Sequence, residues 1–275
     1  MAALSARRVA EARSREREPV LLRRALDVPL APPLRFHRDG FDLFAEFKRR
    51  SPSSAAMRAA APAPAEEAAA RARLYSGAGA ALISVLTEPE EFGGGLEDLR
   101  EAARAASVPT LRKDFLVDPY QVAEARASGA GGVLLILRLL DGPRLLEMID
   151  VAGSLGLFVL LEAFDEADLE RAAEAASEAE RCGAGALAGV NTRNLDTLEV
   201  DGARLGRLAG RLPAGVPRVA ESGLRSPADA GEVAALGYHA ALVGRALMTD
   251  PDPDALARRM IAAGRETARR RCASA

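Results

Sequence analysis

The sequence predicts an α/β protein, a single (β/α)8 barrel with an N-terminal helical extension, on three observations. Apolar runs of four to six residues alternate with amphipathic helical stretches, the pattern of a parallel sheet buried on both faces. The residues that close the later runs, Lys113, Arg138, Glu162, Asn191, Glu221 and Gly244, are spaced by 25, 24, 29, 30 and 23 residues. Strands ending near Lys48 and Glu88 bring the units to eight, and that regularity leaves little room for a doubly wound sheet.

The elements follow in order. Residues 5–28 read as one or two helices, broken by Pro29, Pro32 and Pro33, so that residues 1–40 form an extension covering one end of the barrel and residues 41–265 the catalytic domain. The first strand spans 42–47. After it, the Ser/Ala/Pro-rich stretch to Pro64 is long for a strand-to-helix connection and is the candidate lid. Helices are expected at 65–76, 96–106, 119–128, 141–155 and 165–181, with strands at 80–86, 110–113, 132–137, 157–162, 186–191, 218–221 and 240–244.

Composition narrows the function classes. The chain has 275 residues, 49% of them apolar and 28% charged, enough to bury a sizeable core. A net charge of −2 and a pI near 5.9 offer no nucleic-acid surface. No run of about 18 apolar residues suits a membrane span, and the Arg/Ala-rich start lacks the apolar segment of a signal peptide. Cys182 and Cys272 stand far apart and there are two histidines, which argues against a disulfide framework, a metal site or a Cys-His or Ser-His-Asp centre. The expectation is a cytoplasmic enzyme, monomeric or weakly homo-oligomeric, acting on a small molecule.

Charge at strand ends is the main functional signal. Glu46 and Lys48, two apart on one strand, point the same way. Together with Lys113, Glu162, Asn191, Arg193, Glu221 and Ser222 they would ring the C-terminal mouth, where such barrels keep their chemistry. A lysine lowered by its neighbours, or a glutamate raised by burial, serves acid–base catalysis near neutral pH, and Lys113 and Glu162 are the candidates. Lys113-Asp114 also fits a surface ion pair, and Glu162 a helix N-terminal charge. Ser222-Gly223 and Gly244-Arg245 put small residues in the last two turns, where these barrels commonly hold a phosphate. Phe92 and Phe115, just beyond strand ends, suit loop packing or an aromatic substrate.

The motifs Glu46-Phe-Lys-Arg-Arg-Ser-Pro52, Ile83-Ser-Val-Leu-Thr-Glu88 with Phe92, Leu111-Arg-Lys-Asp-Phe115, Asp118-Pro-Tyr-Gln121, Asn191-Thr-Arg-Asn-Leu195, Ala220-Glu-Ser-Gly223 and Leu242-Val-Gly-Arg-Ala-Leu-Met248 occur in the order in which they stand in one family. Over residues 41–255 the chain resembles indole-3-glycerol phosphate synthase. The resemblance implies closure of 1-(2-carboxyphenylamino)-1-deoxyribulose 5-phosphate to indole-3-glycerol phosphate, with loss of carbon dioxide and water, in tryptophan biosynthesis, without a cofactor. It implies Lys113 as general acid, Glu162 as the base in dehydration, and Lys48 on the substrate carboxylate, with a possible share in the acid role. Glu46 and Asn191 would orient hydroxyls and lysines, and Ser51 and Arg193 support anionic groups. Phe92, Phe115 and Leu195 would line the ring pocket, with Glu221 beside the substrate and Ser222, Gly223, Gly244 and Arg245 toward the phosphate.

Some positions depart from that family. Ser53 is followed by Ser54-Ala-Ala-Met57 where Lys-Gly is usual, Gly95 stands for a serine, Arg138 for a lysine, and Arg245 for Glu or Ser. The extension matches poorly. Two rival readings are a phosphoribosylanthranilate isomerase, disfavoured because no cysteine lies at a strand end, and a non-catalytic paralogue, disfavoured by the retained Lys48, Lys113 and Glu162.

Overall fold

A computed structural model describes residues 1–37, 40–51, 65–195 and 197–274. Eight parallel strands close on themselves in sequence order: β1 (Asp42–Phe47), β2 (Leu82–Leu86), β3 (Thr110–Lys113), β4 (Gly132–Ile136), β5 (Phe158–Ala163), β6 (Ala186–Asn191), β7 (Arg218–Glu221) and β8 (Ala240–Val243). This is a TIM barrel. The closing pair sets Asp42 against Ala240 and Ala45 against Val243, so no edge is left open. The expected lid at 53–64 lies outside the described residues.

Around the barrel run α3 (Ala65–Gly77), α4 (Leu96–Ala105), α5 (Pro119–Ala127), α6 (Gly142–Ser154), α7 (Glu166–Arg181), α8 (Arg204–Leu208), α9 (Pro227–Ala235), α10 (Arg245–Thr249) and α11 (Pro253–Ala273), after an N-terminal pair α1 (Ala2–Arg15) and α2 (Glu18–Asp27). Their starts are written locally. Asp118, Asp141, Asp165, Ser226 and Asp252 each accept an N–H of the first turn, and Pro119, Pro227 and Pro253 occupy the first helical position, where a missing N–H costs nothing.

Alternation along each strand sorts the core into two parts. Leu43, Ala45 and Phe47 of β1 face the helices, while Phe44 joins Leu82, Leu111, Leu134, Leu160, Leu187, Val219 and Leu242 inside the barrel. Leu34 and Phe36 pack on this inner cluster from below, Phe36 lying 6.1 Å from the Phe44 ring between centroids.

The extension touches both ends of the barrel rather than one. α1 docks at the upper rim: Arg8 donates to both oxygens of Asp114 (2.8 and 3.2 Å) and the Gln121 side chain donates to Ser5 Oγ (2.9 Å). The Tyr120 hydroxyl donates to the Glu16 carbonyl (2.8 Å) where α1 stops. At the lower face the Arg126 guanidinium donates to the carbonyls of Val28, Pro29 and Leu155, holding residues 28–36 under the barrel.

Candidate active site

The odd strands carry the charge. Strand alternation that sends Phe44, Leu111, Leu160 and Val219 into the barrel sends Glu46, Lys113, Glu162 and Glu221 in as well, two residues higher on each strand. Three carboxylates and one ammonium thus meet where the inner apolar cluster ends. All three glutamates are buried. Lys113 Nζ lies 3.5 Å from Glu162, and Lys48 Nζ bonds Glu46 at 2.5 Å.

This packing orders the protons. Burial works against the Lys113 ammonium, but the charges of Glu162, Glu221 and Glu46 outweigh it and raise its pKa. Burial also works against the Glu46 carboxylate; Lys48 and Lys113 overcome it and hold Glu46 below the usual range. Glu221 goes the other way, pushed well up by burial and then by the charge of Glu162. The lysine at the centre is therefore raised, contrary to the expectation of a lowered one, because three carboxylates surround it. Beyond the 3.5 Å approach of Lys113 to Glu162, no hydrogen bond satisfies the Glu162 or Glu221 oxygens among the described residues. Both side chains therefore keep capacity to bond the hydroxyls of a substrate.

All fifteen candidate residues line one cleft at the mouth of the barrel. Phe92, Phe115, Leu195 and the buried Ser51 form walls around the charged floor. Phe92 is set by its own loop: the Glu88 carboxylate accepts the N–H groups of Glu90, Glu91 and Phe92, and the Phe92 carbonyl accepts the N–H of Arg50 (2.9 Å). Asn191 Oδ1 accepts the N–H of Arg193 (2.9 Å), and Arg193 in turn donates to the Leu198 carbonyl (2.8 Å). Asp114 does not pair with Lys113. Strand alternation turns it outward to Arg112 and Arg8, while burial alone would raise it; the two arginines hold its carboxyl below the usual range.

The far end of the cleft is made of turns. Ser222 and Gly223 both have left-handed backbones (φ 67° and 82°), uncommon for a serine and a mark of a constrained site. Gly244 and the exposed Arg245 stand beside them. Burial lowers the Arg193 pKa, and the nearby charges of Arg245 and Arg225 act in the same direction. Positive charge therefore gathers at this end.

The profile of indole-3-glycerol phosphate synthase matches residues 6–260. The chain belongs to the indole-3-glycerol phosphate synthase family. An indole-3-glycerol phosphate synthase of a Parafrankia species is 46% identical over 228 residues, 83% of this chain and 80% of the relative. One from a Nocardioides species is 46% identical over 86% of this chain and 85% of its own. Indole-3-glycerol phosphate synthase 1 of Streptomyces coelicolor is 44% identical over 84% and 81%. Among solved structures, thiamine phosphate pyrophosphorylase from Pyrococcus furiosus (TM-score 0.54, 21% identity, covering 84% of this chain and 98% of its own) and 3-hexulose-6-phosphate synthase (TM-score 0.58, 19%, covering 81% and 99%) share the fold.

The family match takes in most of the N-terminal extension, which the motifs alone had left out. Arg138, expected to close β4, instead sits in a single 3-10 turn, Leu137–Leu139, and faces away from the cleft. It pairs with Asp165 and Asp168 and lies over the Phe164 ring, 4.1 Å from its centroid.

Gly189, Glu88 and Arg225 have no site role in the sequence reading, and Gly244 has there only a place near the phosphate. A Cβ on Gly189 would come within 2.1 Å of Glu221 Oε1, and one on Gly244 within 2.1 Å of Glu46 Oε1. The two carboxylates occupy space that only glycine leaves. A glycine inside an apolar strand, as at 189, is the signal that was available. Glu88, cradling the Phe92 turn, and Arg225, in the loop after β7, had no local mark.

Proposed function

We propose that Lys113 is the proton donor and Glu162 the base in the family's ring closure, with Glu46, Lys48 and Asn191 holding the reacting groups in place. The observation that carries this assignment is the Lys113 ammonium standing among three buried glutamates, 3.5 Å from the Glu162 carboxylate. When the substituted ring carbon attacks the ketone carbon, negative charge develops on the ketone oxygen. An ammonium fixed at that point stabilises the charge without reorganising, and passes its proton to an oxygen more basic than the amine it leaves. Lys48, ion-paired with Glu46, meets the aryl carboxylate until it departs as carbon dioxide. The ring then gains its last double bond: Glu162 takes a proton from the methylene carbon as the hydroxyl, accepting a second proton from Lys113 recharged from solvent, leaves as water. Glu221, whose pKa burial and the charge of Glu162 push well up, serves as a donor to a substrate hydroxyl rather than as a second base. The reaction needs no outside electron acceptor, because decarboxylation and dehydration balance it.

The phosphate belongs at the turn end, against Ser222, Gly223 and Gly244, with Arg245, Arg193 and Arg225 supplying positive charge. Phe92, Phe115 and Leu195 take the aryl ring. Anchoring the phosphate at one end and the ring at the other brings ring carbon and ketone carbon together, which lowers the entropic part of the barrier. The small-molecule partner is thus a phosphorylated anilino sugar, and the setting we propose is the cytoplasm.

The test is a fluorescence assay of indole formation from carboxyphenylamino-deoxyribulose phosphate with the purified chain and with Lys113→Ala. The assignment expects kcat to fall roughly 10²- to 10⁴-fold, with a much smaller change in ligand affinity. Parallel losses of turnover and binding would instead make Lys113 a binding residue.

A further inference from the structure

The lower face of the barrel carries a cationic cleft that the ring closure does not use. Arginines against the barrel are generally matched to carboxylates: Arg8 and Arg112 to Asp114, Arg49 to Asp98, Arg138 to Asp168, Arg265 to Asp42. Arg218, which begins β7, and Arg271, near the end of α11, are not, and like Arg126 and Arg171 they bond main-chain carbonyls instead. Each is half-buried, and neither forms an ion pair among the described residues. Their guanidinium groups bond only main-chain carbonyls, Arg271 Nη1 to Ala234 (2.8 Å) and Arg218 Nη1 to Ala209 (3.5 Å).

The two like charges nonetheless converge. Arg271 Nη1 and Arg218 Nη1 lie 3.0 and 3.6 Å from the point where a Cβ on Gly237 would stand. His239 completes the cleft. Its Nδ1 accepts the N–H of Arg218 (3.1 Å), so the neutral ring carries its proton on Nε2, a donor with no acceptor among the described residues. Burial, then the charges of Arg218 and Arg271, lower the His239 pKa and favour that neutral form. Three donor groups therefore face one opening with no negative charge between them.

We propose that the cleft formed by Gly215, Val216, Arg218, Gly237, His239 and Arg271 binds a phosphate group, as inorganic phosphate or as a phosphomonoester. Guanidinium forks bind phosphate oxygens in pairs, and the imidazole N–H supplies a further bond. A carboxylate carries one negative charge against two guanidiniums; a phosphate near neutral pH carries up to two. Gly237, lacking a side chain, leaves room beside both arginines. The cleft is distinct from the catalytic one, since Arg218 and Glu221 stand at opposite ends of β7.

Calorimetric titration of the whole chain with inorganic phosphate, and separately with ribose 5-phosphate, tests this. Two sites per chain are expected, one in the catalytic cleft and one here. In Arg271→Gln the second site weakens at least tenfold, while kcat/KM for ring closure is unchanged. Tighter binding of ribose 5-phosphate than of phosphate at the second site identifies a phosphomonoester; equal or weaker binding identifies the free anion. A single site in the wild-type chain, or two sites unaltered by Arg271→Gln, overturns the proposal. Should that variant fold poorly, crystals of the wild-type chain soaked in tungstate decide: a heavy-atom peak between Arg218 and Arg271 supports the site, and its absence there rejects it.

Discussion

Glu221 is the residue whose chemistry differs most from its neighbours of the same type. Glu46 and Glu221 are both buried glutamates on odd strands, yet Lys48 lies against one and not the other. Burial favours the neutral acid in both; the neighbouring lysines overcome it at Glu46 and hold its pKa down, while at Glu221 burial and the charge of Glu162 prevail and push it up. The consequence for stability has a definite sign. The folded state keeps the Glu221 proton above the ordinary value of 4.5, where the unfolded chain has lost it, so folding loses stability as pH rises through that window and is unaffected below it. Glu221→Gln keeps the hydrogen-bonding shape and has no proton to lose. Its stability relative to the wild type should therefore improve as pH rises above 4.5, by at most about 1.4 kcal/mol per pH unit. Urea melts of both proteins across that range check it, and a pH-independent difference would contradict a raised Glu221.

At the scale of single elements, β3 shows how alternation divides labour. Leu111 and Lys113 enter the barrel; Arg112 and Asp114 leave it for the surrounding helices. Asp114 then gathers Arg112, Arg8 and the Thr87 hydroxyl, so one carboxylate ties β2, β3 and α1 together behind the catalytic lysine. Removing it leaves Arg8 without its carboxylate and takes one of two carboxylates from the buried Arg112, which keeps Glu124. Asp114→Ala should cost about 3–5 kcal/mol, the usual loss when one partner of a buried ion pair is removed, with faster amide exchange in α1 than in the barrel strands. A loss under about 1 kcal/mol, the range of surface ion pairs, would mean that α1 is held by other contacts. This alternation separates Asp114 from Lys113, against the surface ion pair that the sequence also fits, and the partner at Arg8, 106 residues away, lies beyond local reading.

Over the whole molecule, the N-terminal segment works as a brace from rim to base. α1 grips the rim through Asp114, α2 descends along α5, and residues 28–36 pass beneath the barrel, where Leu34 and Phe36 meet the inner core. Arg126 is the lower fastening, with three main-chain carbonyls as acceptors and no carboxylate. Burial alone lowers its pKa. Arg126→Ala leaves those carbonyls without their donor and should destabilise the chain by about 2–4 kcal/mol. Limited proteolysis should then cut first between residues 28 and 36. Unchanged cleavage with unchanged stability would show that the strap needs no fastening there.

What the sequence determined is what short-range physics controls. Eight apolar runs specify eight strands, the period of two sends Glu46, Lys113, Glu162 and Glu221 to one side, and Asp-Pro and Ser-Pro pairs start the helices, since each depends on neighbours a few residues away. The family followed from the order of motifs. Only the tertiary structure decided which glutamate holds a proton, why residues 189 and 244 are glycine, where Arg138 turns, and that Arg218, His239 and Arg271 share one cleft. Those outcomes depend on distances through space between groups remote in the chain. Charge and volume act across such gaps, and no local pattern records them.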